Sequence, residues 1–119
     1  MTPRVIIADD EYDLAEIFSS LLELKGISVV GVATNGKEAM EMCKKLRPDI
    51  VFSDVKMPYY DGYYVAREIK KLKHRPKIVL ITGSPTAEVT VELNNLIVDA
   101  IICKPVDIHK VIALIKDLT

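Results

Sequence analysis

Apolar residues along this chain fall into two rhythms that take turns. Short apolar runs rich in β-branched residues occupy 4–8 (RVIIA), 27–33 (ISVVGVA), 49–53 (DIVFS), 77–81 (KIVLI) and 100–103 (AIIC). Each has the length of a strand. Most are solidly apolar rather than alternating, as strands are when helices cover both sheet faces. Between them the apolar residues recur at helical spacing. Leu14, Ile17, Phe18, Leu21 and Leu22 form one stripe, and Gly26 stops that helix. Ala39, Met40, Cys43 and Leu46 form a second, started at the Thr34-Asn35-Gly36 turn and ended before Pro48. Val65, Ile69 and Leu72 mark a helix over 63–72, and Ile108, Val111, Ile112 and Ile115 mark a last one capped by Asp107. A further helix is expected over 86–97, where Thr90, Val91 and Asn94-Asn95 are poor helix formers.

Strand and helix thus alternate five times, the pattern of a parallel α/β sandwich with right-handed crossovers. The pattern leaves strand order open. A chain of 119 residues, half of them hydrophobic, fits one domain with a real core, here taken as 1–119. With 16 basic and 17 acidic residues the net charge is −1, and no basic stripe argues for direct nucleic-acid binding. The first apolar run is too short for a signal peptide or a membrane span. Cys43 and Cys103 form no CxxC pair, so a cytoplasmic, reducing setting with two buried packing cysteines is expected.

Chemistry enters at the strand ends. The first strand runs into Asp9-Asp10, the third into Asp54, the fourth into Thr82 and the fifth into Lys104. All are carboxyl ends, which in an open parallel sheet lie along one edge where ligands bind. A carboxylate ending an apolar strand suits chemistry better than packing, so Asp54 reads as a nucleophile for a phosphoryl group. Three carboxylates in one cleft call for a proton or a cation. Mg²⁺ fits, because it takes one or two carboxylates, keeps waters and leaves room for a phosphate. The Thr82 hydroxyl and the Lys104 ammonium suit the oxygens of a transferred phosphoryl group.

In this arrangement the chain resembles the receiver domain of two-component response regulators over essentially its whole length. The likeness rests on Asp9-Asp10, on Asp54 with the Met57-Pro58 and Asp61-Gly62 loop, on Thr82 and on Lys104-Pro105. It implies a flavodoxin-like three-layer sandwich with strand order 2-1-3-4-5 and five helices. It implies that Asp54 accepts the phosphoryl group of a sensor histidine kinase or phosphotransfer protein. Asp10, Asp54 and the backbone carbonyl of Lys56 would bind Mg²⁺, with Asp9 holding a metal-bound water. Lys104 would contact the phosphate, across a cis bond to Pro105. Thr82 would turn toward the phosphate and switch the surface made by the 86–97 helix, the fifth strand and the last helix. That surface would control a downstream protein or output domain, as a monomer or a phosphorylation-dependent dimer. The protein would be a signalling phosphoacceptor catalysing only its own phosphorylation and slow dephosphorylation.

Three residues or stretches depart from the family pattern. Ile101 stands where receivers carry Tyr or Phe, which removes the aromatic rotamer readout. Residues 94–99 (NNLIVD) replace a small glycine-containing turn, and Lys56 stands where the family tunes phosphate lifetime. Taken singly, each site residue has a plainer role: Asp9, Asp10 and Glu11 as the acidic first turn of a helix, Asp54 and Thr82 as turn residues, Lys104 as a surface lysine. Their joint placement at four strand ends defeats those roles. Glu11 keeps its plain one. Tyr59, Tyr60, Tyr63 and Tyr64 are read as packing, with a partner-contact patch as the sharper reading; His74 and His109 are read as solvated. The first helix has an apolar stripe wider than a core face needs, so Phe18 or Leu22 is expected to face outward toward a kinase. A receiver-like interaction module not switched by phosphate is the alternative. A phosphohydrolase is disfavoured by Lys56 and the lack of a cap insertion, and a dinucleotide binder by the lack of G-x-G-x-x-G.

Overall fold

Five parallel strands form one sheet in the order β2-β1-β3-β4-β5. The structure is a computed structural model that describes residues 2–83 and 98–119. In chain order the elements are β1 (Arg4–Ala8), α1 (Tyr12–Leu24), β2 (Ser28–Ala33), α2 (Gly36–Leu46), β3 (Ile50–Asp54), α3 (Gly62–Ile69), β4 (Lys77–Thr82), β5 (Ala100–Cys103) and α4 (Ile108–Leu118). The helix expected over 86–97, with its Asn94-Asn95 stretch, lies outside the described residues, so four helices are described rather than five. None of the described helices is long and apolar enough to cross a membrane.

β3 pairs with β1 on one side and β4 on the other, Phe52 lying beside Ile7 and Val79. Every residue of β3 is buried. The period-two alternation of strands then builds two cores. Ile6, Ala8, Val51 and Leu80 face α2 and α3, meeting Ala39, Met40, Cys43, Val65 and Ile69. Val5, Ile7, Ile50, Phe52, Val79 and Ile81 face α1 and α4, meeting Ala15, Leu22, Val111 and Ile115.

Helix boundaries follow their caps. Asn35 caps α2 by accepting from the Glu38 amide at 2.9 Å, while the Glu38 carboxylate accepts from the Thr34 amide at 3.0 Å. Asp61 caps α3 through the Tyr64 amide, and Asp107 caps α4 through His109 and Lys110. Gly26, at φ +84°, ends α1; its amide reaches Glu23 and that of Ile27 reaches Leu22, satisfying the last carbonyls. α3 stops at Ile69, short of the expected Leu72, because the Lys71 and Leu72 amides turn back three residues to Glu68 and Ile69.

Three expectations are corrected. Leu22 does not face outward; it is fully buried, and Phe18 is half-buried with its ring edge-on to Phe52 at 5.6 Å. Leu14, Ile17 and Leu21, one helical step round, are exposed instead, as are Tyr12 and Leu24 at the two ends of α1. Cys103 is exposed rather than packed. It lies on the edge strand β5, where Ala100 and Ile102 join the α1/α4 core and alternation turns Ile101 and Cys103 away from it. His74 is exposed but not merely solvated, since its Nε2 lies 3.1 Å from the Pro48 carbonyl.

Candidate functional site

The carboxyl ends of β1, β3, β4 and β5 bring Asp9, Asp10, Asp54, Thr82 and Lys104 to one edge of the sheet. Backbone bonds lock that edge together. The Asp9 amide reaches Ala33, that of Val55 reaches Ile81, and that of Lys104 reaches Thr82 at 2.8 Å. The Lys104-Pro105 bond is cis.

Asp9, Asp54 and Thr82 are buried, Lys104 is half-buried and Asp10 is exposed. One carboxylate oxygen from each of Asp9, Asp10 and Asp54 lies within 4.8 Å of the others. Asp9 Oδ1 accepts from the Glu11 amide at 2.9 Å. Glu11 occupies the cap position of α1 but makes no side-chain capping bond. The Lys104 ammonium donates to Asp54 Oδ2 at 3.0 Å.

Burial pushes the Asp54 carboxyl up from 3.8 to about 6; the Lys104 hydrogen bond pulls it down and the Asp9 charge pushes it up again. Burial by itself would lower the Lys104 ammonium, but the Asp54 hydrogen bond and the charges of Asp54, Asp9 and Glu11 prevail and raise it. A cleft of about 310 Å³ at this edge is bordered by Asp10, Glu11, Asp54, Lys56, Thr82 and Lys104. Clustered hard oxygen donors beside an open cleft are the donor set that Mg²⁺ takes.

Two features of the site escaped the sequence. The first is a second cleft of about 350 Å³ that also reaches Asp54 and Lys104, walled by Leu14, Ile17, Phe18 and Leu21 of α1 and by Pro105, Val106 and Ile108. The over-wide stripe on α1 was its signal. The second is the loop after β3. Tyr59 there is almost wholly exposed and sits at φ +68°, while the Tyr60 ring packs edge-on to Tyr64 at 4.9 Å and lies under the Lys37 ammonium. Packing is thus right for Tyr60 and Tyr64 and wrong for Tyr59.

Comparison with known proteins bears on the whole of this architecture. A family model described as the response regulator receiver domain matches residues 5–116. The chain is 32% identical over 112 residues to the chemotaxis protein CheY of Thermotoga maritima, covering 94% of this chain and 93% of that protein. It is 41% identical over 87 residues to a protein-glutamate methylesterase/protein-glutamine glutaminase of Alkalilimnicola ehrlichii, covering 72% of this chain but 22% of that protein. A crystal structure of a LuxR-family DNA-binding response regulator from Staphylococcus aureus superposes with a TM-score of 0.89 at 26% identity, covering 98% of each chain.

Proposed function

The chain belongs to the response regulator receiver family of two-component signalling, and on that premise we propose that Asp54 is its phosphoacceptor. The single observation that carries this reading is the pairing of a buried strand-end carboxylate with an ammonium 3.0 Å away, inside a cluster of acids.

Each residue has a role that its surroundings support. An Asp54 oxygen attacks phosphorus in line with the donor imidazole nitrogen. The O–P bond forms as the N–P bond breaks, and the imidazole leaves with the bonding pair and takes up a proton. Lys104 neutralises the phosphoryl oxygens, and the Thr82 hydroxyl donates to one of them. Asp10, Asp54 and the Lys56 carbonyl would hold Mg²⁺, with Asp9 binding through a water. When bound, the ion offsets charge on the acids and on the phosphoryl oxygens. No substrate is turned over; the protein catalyses its own phosphorylation and slow dephosphorylation.

The apolar cleft beside Asp54 suits the donor. A histidine kinase or phosphotransfer protein presenting an apolar helix face would cover Leu14, Ile17 and Leu21 and bring its phosphohistidine to the open side of Asp54. The signal then passes to a downstream protein or output domain.

Intact-mass measurement with Mg²⁺ and acetyl phosphate tests the acceptor. One added phosphoryl group in wild type and none in Asp54→Ala is expected; equal labelling of both would overturn the assignment. A second reading, an interaction module that phosphate does not switch, draws on Ile101, 39% exposed where an aromatic readout would stand. Amide exchange separates the two. A switched receiver changes protection between Thr82 and Lys104 on labelling, and a silent one does not.

A further inference from the structure

The loop from Val55 to Gly62 carries Lys56 along the acid cleft, and its tip is held from outside by another element. Within residues 57–60, the backbone bonds among the described residues are two. The Tyr60 amide turns back to Pro58 at 2.8 Å, and the Gly36 amide donates to the Tyr60 carbonyl at 2.7 Å. The first closes a three-residue turn around Tyr59, whose φ of +68° makes it the rare, strained form of that turn. The second comes from the first residue of α2. Helix-start amides ordinarily go to a cap or to water; this one is spent on a different loop.

The approach leaves no room for a side chain. A Cβ on Gly36 would lie 2.8 Å from the Tyr60 carbonyl oxygen and 3.0 Å from that of Asp61, both backbone atoms that cannot swing aside. The far end of the loop is equally tight. A Cβ on Gly62 would lie 2.5 Å from the carbonyl oxygen of Asp54, and the Gly62 amide bonds the Val55 carbonyl. A push at Tyr60 and Asp61 therefore reaches the main chain of Asp54 within two residues. The start of α2 is itself fixed by the Asn35–Glu38 cap and, through Ala33, by the Asp9 amide.

We propose that Gly36 is a positioning residue of the metal site: through the Tyr60 carbonyl it sets the 55–62 loop, and with it Lys56 and Asp54, in place for the ion. This rests on the reading of the acid cluster as a Mg²⁺ site. Mg²⁺ demands near-ideal octahedral geometry, so a loop displaced by a few tenths of an ångström weakens it.

Calorimetric titration of the whole protein with Mg²⁺ alone, beside thermal melts, tests the proposal. Gly36→Ala is expected to weaken Mg²⁺ about tenfold, in the range of changes that act on a metal site through its supporting shell. Asn35→Ala, which loosens the start of α2 without adding atoms, should weaken it less, and serves if Gly36→Ala does not fold. Tyr60→Ala keeps the carbonyl and should bind nearly as wild type. Ile115→Val, in the core on the other face of the sheet, should lower the melting temperature and leave Mg²⁺ affinity unchanged. Wild-type affinity in folded Gly36→Ala or, failing that, in Asn35→Ala overturns the proposal. So does an equal loss in Tyr60→Ala or in Ile115→Val. Absence of Mg²⁺ binding to wild type would instead overturn the metal reading beneath it.

Discussion

Lys104 Nζ lies 3.0 Å from Asp54 Oδ2, so the ammonium that would steady a phosphoryl group is already engaged with the carboxylate that would receive it. The contact spans 50 residues and joins two strand ends separated by β4. It keeps a buried carboxylate partly compensated, and phosphorylation of Asp54 would have to hand that ammonium from carboxylate to phosphoryl oxygens.

Lys104→Met is therefore expected to slow labelling of Asp54 by acetyl phosphate about a hundredfold, the scale of losing one charge-stabilising donor. Initial rates of mass increase at saturating Mg²⁺ check this. A rate within threefold of wild type would remove Lys104 from the chemistry.

The raised Asp54 carboxyl gives a pH signature. Its folded value, about 6, exceeds the ordinary 3.8, so between those values the folded state holds the proton more tightly than the unfolded chain does. The stability so conferred is fully present below about pH 4 and is lost as pH rises through 6. Asp54→Asn removes this dependence. In metal-free buffer the wild type should lose about 1 kcal/mol relative to that variant between pH 4 and 7. This is less than the full shift implies, because water reaches the cleft. Melts across that range measure it.

Mg²⁺ should reverse the penalty. A ligand that binds only the folded state adds about 2.7 kcal/mol at a hundred times its dissociation constant. Wild type at pH 7 should melt higher in excess Mg²⁺ and return to its lower value with a chelator. Asp10→Asn and Asp54→Asn should show little response in the same melts.

The two faces of α1 predict opposite phenotypes. Ile17, 58% exposed, touches the cleft and not the core; Ile17→Ala should change stability by less than about 0.5 kcal/mol and leave acetyl-phosphate labelling intact. It should slow phosphotransfer from a phosphohistidine donor protein. Leu22→Ala should cost about 2–5 kcal/mol by opening a cavity. Chemical denaturation and single-turnover transfer together separate these outcomes.

Much of this molecule was legible in its order of residues. Solid β-branched runs and helical stripes report local backbone preference and burial, which are properties of neighbours along the chain. They place β1 and β5 to the residue and the other described elements to within a few. Asp9, Asp10, Asp54, Thr82 and Lys104 could be placed at the carboxyl ends of strands because a strand's end is a local event. The Asp107 cap and the Thr34-Asn35-Gly36 turn that starts α2 were equally local.

What the sequence left open depends on contacts between distant segments. Strand order came from the family likeness, since no run of residues states which strands share hydrogen bonds. The direction of α1 was misjudged by one step: its stripe is apolar on both flanks, and only packing against Phe52 decided that Leu22 goes in and Ile17 stays out. Cys103 looked buried because AIIC is apolar, yet among the described residues only the Ala100 and Ile102 face of β5 meets the core built by α1 and α4, and Cys103 lies on the other face. Gly36 read as an ordinary turn glycine; its close approach to Tyr60 exists only once α2 and the loop after β3 are packed side by side. The chain alone determined which polar side chains stand at the strand ends and on what elements they sit. The tertiary structure decided which of them meet, because distance in space, burial and charge coupling are set by packing and not by position along the backbone.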